Sequence, residues 1–356
     1  MKTKIADLVR PDLADLKPYV VKDVPHRMKM DANENPFDMP DQIRELIASE
    51  ISIHPFNRYP DPVALALRES LAADLNVDAG QIAIGNGSDE LLNYIIAAFG
   101  GHDAGVIYPE PTFSMYGILA KLWGAEALGV PLTSGFDIRT DEILSAAKTR
   151  DRNIIFICYP NNPTGTSFSR EAILDIIENS GALVVLDEAY YEFCGKTFLP
   201  LIGKYENLIL LRTFSKVFGL AGLRTGYMIA GSDVISEIMK VKMVYNINSL
   251  SQKIALILLE HRKEIAHYLE KILQERKRLM QGLAEIDGIE PFPSDANFIL
   301  FRAEPDAEAV FAKLLENGIL IRNLNEPGLL QNCLRVTVGK PEENDAFLDV
   351  LRNFHE

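Results

Sequence analysis

The stretch TFSKVFGLAGLRTGY, residues 213–227, places one lysine and one arginine among small, apolar and hydroxyl residues, with no acidic residue to balance them. A lysine in an apolar site near other cations has a lowered pKa, and its neutral amine can attack a carbonyl to form a Schiff base. Lys216 is therefore a candidate nucleophile. Arg224 is a candidate phosphate ligand, and the hydroxyls of Thr213 and Ser215 would add donors.

A glycine-rich turn lies earlier in the chain, in the motif GNGSDEL at residues 85–91. Its two glycines join a predicted strand to a predicted helix, and the free N–H groups at a helix N-terminus bind phosphate readily. Ser88 and Asp89 begin that helix and are candidate ligands. An ordinary capped turn, with Ser88 or Asp89 as the N-cap, explains the same residues.

Two further motifs follow apolar strands. NNPTG, at 161–165, is a turn by composition, but the amide of Asn162 is also a candidate donor to a ligand. In VVLDEAY, at 184–190, Asp187 ends an apolar run where an unpaired carboxylate is costly. A helix cap, a core ion pair or a ligand cation would each explain it, and Tyr190 is expected to face the same pocket.

Short apolar strands alternate with amphipathic helices over most of the chain, which predicts an α/β fold with a mainly parallel sheet covered on both faces. Such sheets bind ligands at the C-terminal ends of their strands, where all of these motifs lie. After about residue 246 the pattern changes to long helices and a smaller α+β section. We predict an N-terminal arm at 1–39 with a short strand near 27–30, a large domain at 40–246, and a small C-terminal domain at 247–356.

Composition excludes several other roles. The 356 residues are 47% hydrophobic, and 36 basic against 50 acidic residues give a net charge of -14, with no basic block. Neither nucleic-acid nor membrane binding is therefore expected. The three cysteines share no CxxC spacing, and the scattered histidines form no metal motif, so no metal site is predicted. Without an apolar N-terminal region or a membrane-length apolar run, the expected location is the cytoplasm.

Pyridoxal phosphate would require each of these features. Its aldehyde needs a lysine, its phosphate needs backbone amides and an arginine, and its pyridinium nitrogen needs a carboxylate to keep the ring an electron sink. The motifs NNPTG, DEAY and SKVFGLAGLRTGY occur here in the order and spacing of the fold-type I pyridoxal-phosphate aminotransferases. The sequence resembles that family over essentially its whole length, from DANENP to LRVTVG.

The resemblance implies roles for individual residues. Lys216 would be the Schiff-base lysine and proton shuttle, and Asp187 would pair with the pyridine nitrogen. Asn162 and Tyr190 would contact the phenolic oxygen of the ring, and Phe113, where relatives often have tyrosine, would stack on it. The phosphate ligands implied are Ser88, Asp89, Thr213, Ser215 and Arg224. Tyr59 matches a tyrosine that reaches the phosphate in the other subunit, which implies a homodimer with shared sites.

Within the family, the motifs DANENPF, RYPDP, GNGSDEL, GILIRN and LRVTVG resemble the branch that acts on histidinol phosphate. Arg335 matches the family arginine that binds an α-carboxylate, and a phosphomonoester would occupy that place. A dianion favours more than one cation, so Arg322 is the second candidate, with Tyr19 and Asn33 as further ones.

The activity implied is a ping-pong transamination of L-histidinol phosphate with 2-oxoglutarate to imidazole-acetol phosphate and glutamate, a step of histidine biosynthesis. Three alternatives share the motifs: an aromatic aminotransferase, a phosphothreonine-type decarboxylase, and a cofactor-binding transcriptional regulator. The regulator would need an appended helix-turn-helix domain, for which the predicted arm leaves no room.

Overall fold

The computed structural model describes residues 4–13, 16, 18, 24–304 and 306–354. Its helices are α1 Asp41–Ile53, α2 Leu65–Leu75, α3 Ser88–Phe99, α4 Met115–Leu122, α5 Thr140–Ala146, α6 Arg170–Asn179, α7 Tyr191–Cys194, α8 Ser232–Val241, α9 Ser249–Glu260, α10 Arg262–Ala284, α11 Ala307–Glu316 and α12 Pro341–Arg352. Its strands are β1 Met28–Lys29, β2 Ile82–Gly85, β3 Ala104–Glu110, β4 Glu126–Pro131, β5 Arg152–Cys158, β6 Leu183–Asp187, β7 Leu208–Thr213, β8 Gly226–Ala230, β9 Ile289–Pro291, β10 Phe298–Ala303, β11 Ile319–Leu320, β12 Arg322–Asn323 and β13 Cys333–Thr337.

A seven-stranded sheet forms the centre of the molecule, in the order β2-β8-β7-β6-β5-β3-β4. Strands β7, β6, β5, β3 and β4 are mutually parallel, whereas β8 runs antiparallel to both of its neighbours. The reversal follows from the chain path, because the segment between β7 and β8 contains no crossover helix and returns the chain directly alongside β7. The prediction of a mainly parallel α/β sheet is confirmed.

Alternate residues of the central strands enter two different apolar cores. In β5, Phe156 and Cys158 face one core, while Ile155 and Ile157 face the other. A sheet covered on both faces needs apolar side chains at every position, which is why these strands read as continuous apolar runs. The polar side chains are therefore left to the strand ends.

The C-terminal part contains an antiparallel sheet in the order β12-β13-β10-β9. The long helical segment is interrupted at His261, since α9 ends at Glu260 and α10 begins at Arg262. Helix α9 packs against α1 and α2, whereas α10 packs against β9 and α12. The domain boundary at 246/247 stays a prediction, and α9 lies on the large-sheet side of the molecule.

The N-terminal segment is attached to the C-terminal part. The short strand expected near 27–30 is β1, which pairs in parallel with β11 through Met28–Ile319 and Lys29–Leu320. The chain then passes the ends of the central strands before α1 begins. Within the described ranges, no helix is both long enough and apolar enough to cross a bilayer.

Candidate active site

Lys216 lies in the loop after β7, where its ammonium Nζ donates to the carbonyl oxygen of Ala32 at 3.3 Å. Desolvation, and after it the positive charge of Arg335, lowers the pKa of this amine to about 8. With that pKa, about a tenth of the amine is neutral at pH 7, several hundred times the share of an ordinary lysine. The structure therefore supplies the reactive amine that the sequence pattern indicates.

We expect Lys216 to react with acetic anhydride with a pH midpoint near 8, because the neutral amine is the reacting form. Site-resolved acetylation rates, measured by mass spectrometry of peptides from the cofactor-free protein between pH 6 and 11, test this. The matched control is Lys204, which is fully exposed. Its contact with Tyr205 raises its pKa above the usual 10.5. Equal midpoints for the two lysines would contradict the assignment.

Asp187 ends β6, and its side chain is buried with 4% of the residue exposed. The hydroxyl of Tyr116 donates to Oδ2 at 2.9 Å, and the amide of Ala189 donates to Oδ1 at 3.2 Å. Burial raises the pKa of this carboxyl to about 6, against the lowering effect of these hydrogen bonds. A cation opposite the carboxylate would lower that pKa again, so the position suits a positively charged ligand atom.

Tyr190 and Asn162 lie on the same side of the sheet as Lys216. The ammonium of Lys216 is 5.3 Å from the centre of the Tyr190 ring, and the amide of Asn33 donates to the Tyr190 hydroxyl at 3.0 Å. The guanidinium of Arg335 donates to the side-chain oxygen of Asn162. That bond leaves the NH₂ group of Asn162 as the end that can donate to a ligand.

Two arginines stand opposite each other beyond this group. In the antiparallel pair β12–β13, Arg322 is the direct partner of Arg335. Directly opposed residues of an antiparallel pair project from the same face of the sheet, with Cβ atoms about 5 Å apart. Arg335 is 7% exposed, and Arg322 is partly buried. The structure therefore brings together the two cations that the sequence analysis proposed for one anion.

The predicted phosphate end is built from α3 and the loop before β8. Gly87 is the N-cap of α3 and has a φ of 84°, and no side chain caps this helix end. The φ of 84° is what favours glycine at this position, and a Cβ there would lie 2.6 Å from Nη2 of Arg224, so the guanidinium lies close to the start of α3. Arg224 also pairs with Asp89 at 2.9 Å. Free amide groups of a helix start beside a guanidinium suit a phosphate group.

The remaining predicted residues lie in different parts of the structure. The hydroxyl of Thr213 donates to that of Ser215 at 2.9 Å, and both are buried beside the Lys216 loop. Phe113 follows β3 and meets the Tyr116 ring edge to face, with 5.7 Å between ring centres. Tyr59 is 81% exposed and stacks on Tyr245 at 4.6 Å, so it lies on the surface of this chain. Tyr19 lies outside the described residues.

The sequence analysis did not single out Tyr116. A buried tyrosine hydroxyl generally has a partner, and that rule could have signalled it. Asn33 was proposed for substrate, yet its amide contacts Tyr190, its backbone N–H donates to Thr337 and its backbone oxygen accepts from Asn297. Asn33 has a left-handed φ of 56°, and these three hydrogen bonds hold it in that conformation.

A buried ion pair joins the C-terminal ends of β6 and β7. Arg212 donates from Nε and Nη2 to the Glu188 carboxylate at 3.0 and 2.8 Å, and neither side chain is more than 2% exposed. Each member precedes or follows a predicted site residue, since Glu188 follows Asp187 and Arg212 precedes Thr213. The pair therefore links the ends of β6 and β7 and fixes the spacing of the side chains that face the site.

The residues present fit pyridoxal phosphate. A desolvated lysine can take its aldehyde, and a buried carboxylate can take its ring nitrogen. The start of α3, which no side chain caps, and the guanidinium of Arg224 close to it suit its phosphate. The donor groups are of the right chemistry and come from the C-terminal ends of adjacent strands.

A family model and curated relatives match this chain over nearly its whole length. Residues 25–351 match the family model described as aminotransferase class I and II. This chain belongs to that family. A protein of Caldanaerobacter subterraneus subsp. tengcongensis described as histidinol-phosphate aminotransferase is 42% identical to it, over 98% of this chain and 99% of the relative.

Solved structures of the family share the fold. The histidinol-phosphate aminotransferase of Clostridium acetobutylicum has a TM-score of 0.84 and 27% identity, over 92% of this chain and 98% of that one. The histidinol-phosphate aminotransferase of Sinorhizobium meliloti, solved in complex with pyridoxal-5'-phosphate, has a TM-score of 0.86 and 24% identity, over 93% and 91%. The chain therefore has the fold of the fold-type I aminotransferases over more than nine tenths of its residues.

Proposed function

We propose that this protein is a pyridoxal-phosphate-dependent aminotransferase that transfers the amino group of L-histidinol phosphate to 2-oxoglutarate, giving imidazole-acetol phosphate and glutamate. Family membership and full-length relatives described as histidinol-phosphate aminotransferases support the reaction type and the substrate. The observation that carries the substrate proposal is the pair of arginines opposed across β12 and β13.

That pair suits a phosphomonoester better than a carboxylate. Two guanidinium groups on opposed residues can both donate to one anion bound between them. A carboxylate brings one negative charge, whereas a phosphomonoester brings nearly two and has three acceptor oxygens. Arg335 also contacts Asn162, so an anion at this place lies at the edge of the proposed cofactor site. In the second half-reaction, 2-oxoglutarate would present its carboxylates to the same arginines.

Pyridoxal phosphate, when bound, supplies the electron sink that makes the substrate Cα–H acidic. We assign its ring nitrogen to Asp187, its phenolic oxygen to Asn162 and Tyr190, and one ring face to Phe113. Its phosphate is assigned to the start of α3 and the loops after β7 and before β8, with the ligands Ser88, Asp89, Thr213, Ser215 and Arg224. Among these, Asp89 acts by holding Arg224, since its carboxylate pairs with that guanidinium.

The proton transfers are assigned to Lys216. Its lowered pKa allows the amine to accept the substrate Cα proton near neutral pH and then to release it as an acid. Arg335 contributes by disfavouring the ammonium form and by holding the anionic end of the substrate. The carbonyl of Ala32, which accepts from the ammonium, marks where the side chain rests when it is free.

Replacing Arg322 with alanine is expected to lower kcat/KM for histidinol phosphate by about 10- to 100-fold, the range of one lost charge-assisted contact. Phenylalanine, which has no phosphate, should lose less than about 3-fold. Steady-state kinetics with both substrates measure the difference, and Arg322→Lys should recover part of the loss because it retains the charge.

Arg139→Ala is the matched control, since Arg139 precedes helix α5 and forms an exposed ion pair with Glu142. Its effect should be within about 2-fold for both substrates. An equal loss for histidinol phosphate and phenylalanine in Arg322→Ala would overturn the two-arginine phosphate site.

We also propose a homodimer in which Tyr59 reaches the phosphate end of the other subunit's site. An exposed apolar surface around Tyr59 and Tyr245 supports this, with Phe56, Met243 and Val244 each 68–69% exposed. The cytoplasm is the proposed location. Sedimentation at micromolar concentration tests the dimer, and a monomer with full activity would contradict the shared site.

A further inference from the structure

Tyr116 is the side chain that holds the carboxylate of Asp187 from the helix side. It lies on α4 with no exposed surface, and its hydroxyl donates to Oδ2 of Asp187 at 2.9 Å. The ring is stacked on Phe156 with 4.9 Å between centres and 6° between planes, and it meets Phe113 edge to face. These contacts fix the ring and hold its hydroxyl beside Oδ2 of Asp187.

The other oxygen of the carboxylate is held separately. The backbone amide of Ala189 donates to Oδ1 of Asp187 at 3.2 Å. Two donors on two different oxygens set the plane of the carboxylate, while each oxygen retains lone-pair capacity for a ligand. The geometry thus orients a buried anion without consuming its ability to accept from a third donor.

We propose that Tyr116 is a positioning residue that orients the Asp187 carboxylate and favours its ionised form, so that it can pair with the ring nitrogen of the cofactor. The inference rests on the proposed function, because it gives Asp187 that role. None of the sequence motifs contains Tyr116. Its effect on the reaction is exerted through Asp187.

The charges around Asp187 are consistent with this role. Five titratable groups interact with it: Tyr116 from α4, Cys158 from β5, Asp89 from α3, Tyr190 from the segment after β6 and Lys216 from the loop after β7. Burial and Asp89 raise the pKa of Asp187, whereas Tyr116, the Ala189 amide and Lys216 lower it. Burial also raises the pKa of Tyr116 and of Cys158, so both stay protonated and Tyr116 remains a donor.

A merely structural reading is that a buried tyrosine hydroxyl takes the nearest acceptor. The two readings differ in what happens to the cofactor site when the hydroxyl is removed. Under the structural reading, Tyr116→Phe would change stability and leave cofactor affinity and kcat unchanged. Under the positioning role, the carboxylate should become harder to ionise, and cofactor affinity and kcat should fall with it.

The test is a ¹³C NMR pH titration of side-chain carboxylates in the cofactor-free protein labelled with [¹³C]aspartate, with the Asp187 signal assigned by its loss in Asp187→Asn. We expect Asp187 to titrate near pH 6 in the wild type and about 1 unit or more higher in Tyr116→Phe. Tyr108→Phe is the control, since its hydroxyl lies against Gly117 and its ring centre is 6.5 Å from that of Tyr116. That variant should leave the titration unchanged.

In the cofactor-loaded protein, Tyr116→Phe should lower kcat about 10-fold or more while KM changes less than about 3-fold, because the substrate contacts are intact. Pyridoxal-phosphate affinity should fall in Tyr116→Phe, and it should fall no further when the same change is made in Asp187→Asn, since both changes act through one carboxylate. Additive losses, or an Asp187 titration that is the same in Tyr116→Phe and wild type, would overturn the proposal.

The NMR result does not depend on the substrate. A protein that fails to transaminate histidinol phosphate but shows the shifted titration would refute the proposed function and leave the Tyr116–Asp187 coupling in place. A protein that transaminates histidinol phosphate normally but shows no shifted titration would support the proposed function and refute the Tyr116–Asp187 coupling.

Discussion

Lys216→Ala is expected to abolish covalent attachment of pyridoxal phosphate and to lower kcat/KM by roughly 10⁴-fold, because the change removes both the nucleophile and the proton-transferring base. Borohydride reduction followed by intact-mass spectrometry tests the attachment. The wild type should gain one reduced cofactor on the peptide that contains residue 216, and the variant should gain none. Steady-state glutamate formation measures the activity.

Lys204→Ala is the matched control for this change, since Lys204 is fully exposed and lies on the surface side of the loop before β7. It should retain both the attached cofactor and the activity. Attachment that persists in Lys216→Ala at the wild-type level would show that another amine carries the cofactor, and the site described above would then be misassigned.

Asp187→Asn is expected to lower kcat by about 10²- to 10³-fold, because the amide has nearly the same shape but no charge to keep the ring nitrogen protonated. In the cofactor-free protein, the same change should leave Tm at pH 7 equal to or above that of the wild type. Differential scanning calorimetry and single-turnover kinetics provide the two measurements.

The sign of the stability effect follows from the pKa. The pKa of Asp187 is raised from 3.8 to about 6 in the folded protein, so between these values the folded state binds more protons than the unfolded state. Stability of the cofactor-free protein therefore falls as pH rises through this interval, and the cost is fully present above about pH 6. Asparagine has no charge to desolvate and removes that cost. A large drop in Tm together with unchanged kcat would contradict the role of Asp187.

The sequence was informative where chemistry is carried by strand ends. Lys216, Asp187 and Asn162 could be placed together because parallel strands bring their C-terminal ends to one edge. The apolar runs before them left no other position for polar side chains. The opposed arginines were likewise suggested by the motifs GILIRN and LRVTVG, and their register, Arg322 opposite Arg335, is now known.

Contacts between distant elements could not be predicted in the same way. The bonds Tyr116–Asp187 and Asn33–Tyr190 join residues 71 and 157 positions apart, and neither follows from periodicity. The ion pair Arg212–Glu188 depends on which strands become neighbours. The role of Tyr59 cannot be derived from one chain, because its side chain is exposed on that chain's surface.

The most direct test of the proposed function is product analysis of the purified, pyridoxal-phosphate-loaded protein with L-histidinol phosphate and 2-oxoglutarate. Phenylalanine, tyrosine and phosphothreonine are tested as alternative substrates in separate, parallel reactions. We predict glutamate and imidazole-acetol phosphate in equal amounts, no carbon dioxide, and the highest kcat/KM for histidinol phosphate. Release of carbon dioxide from phosphothreonine, or a higher kcat/KM for phenylalanine or tyrosine than for histidinol phosphate, would contradict it.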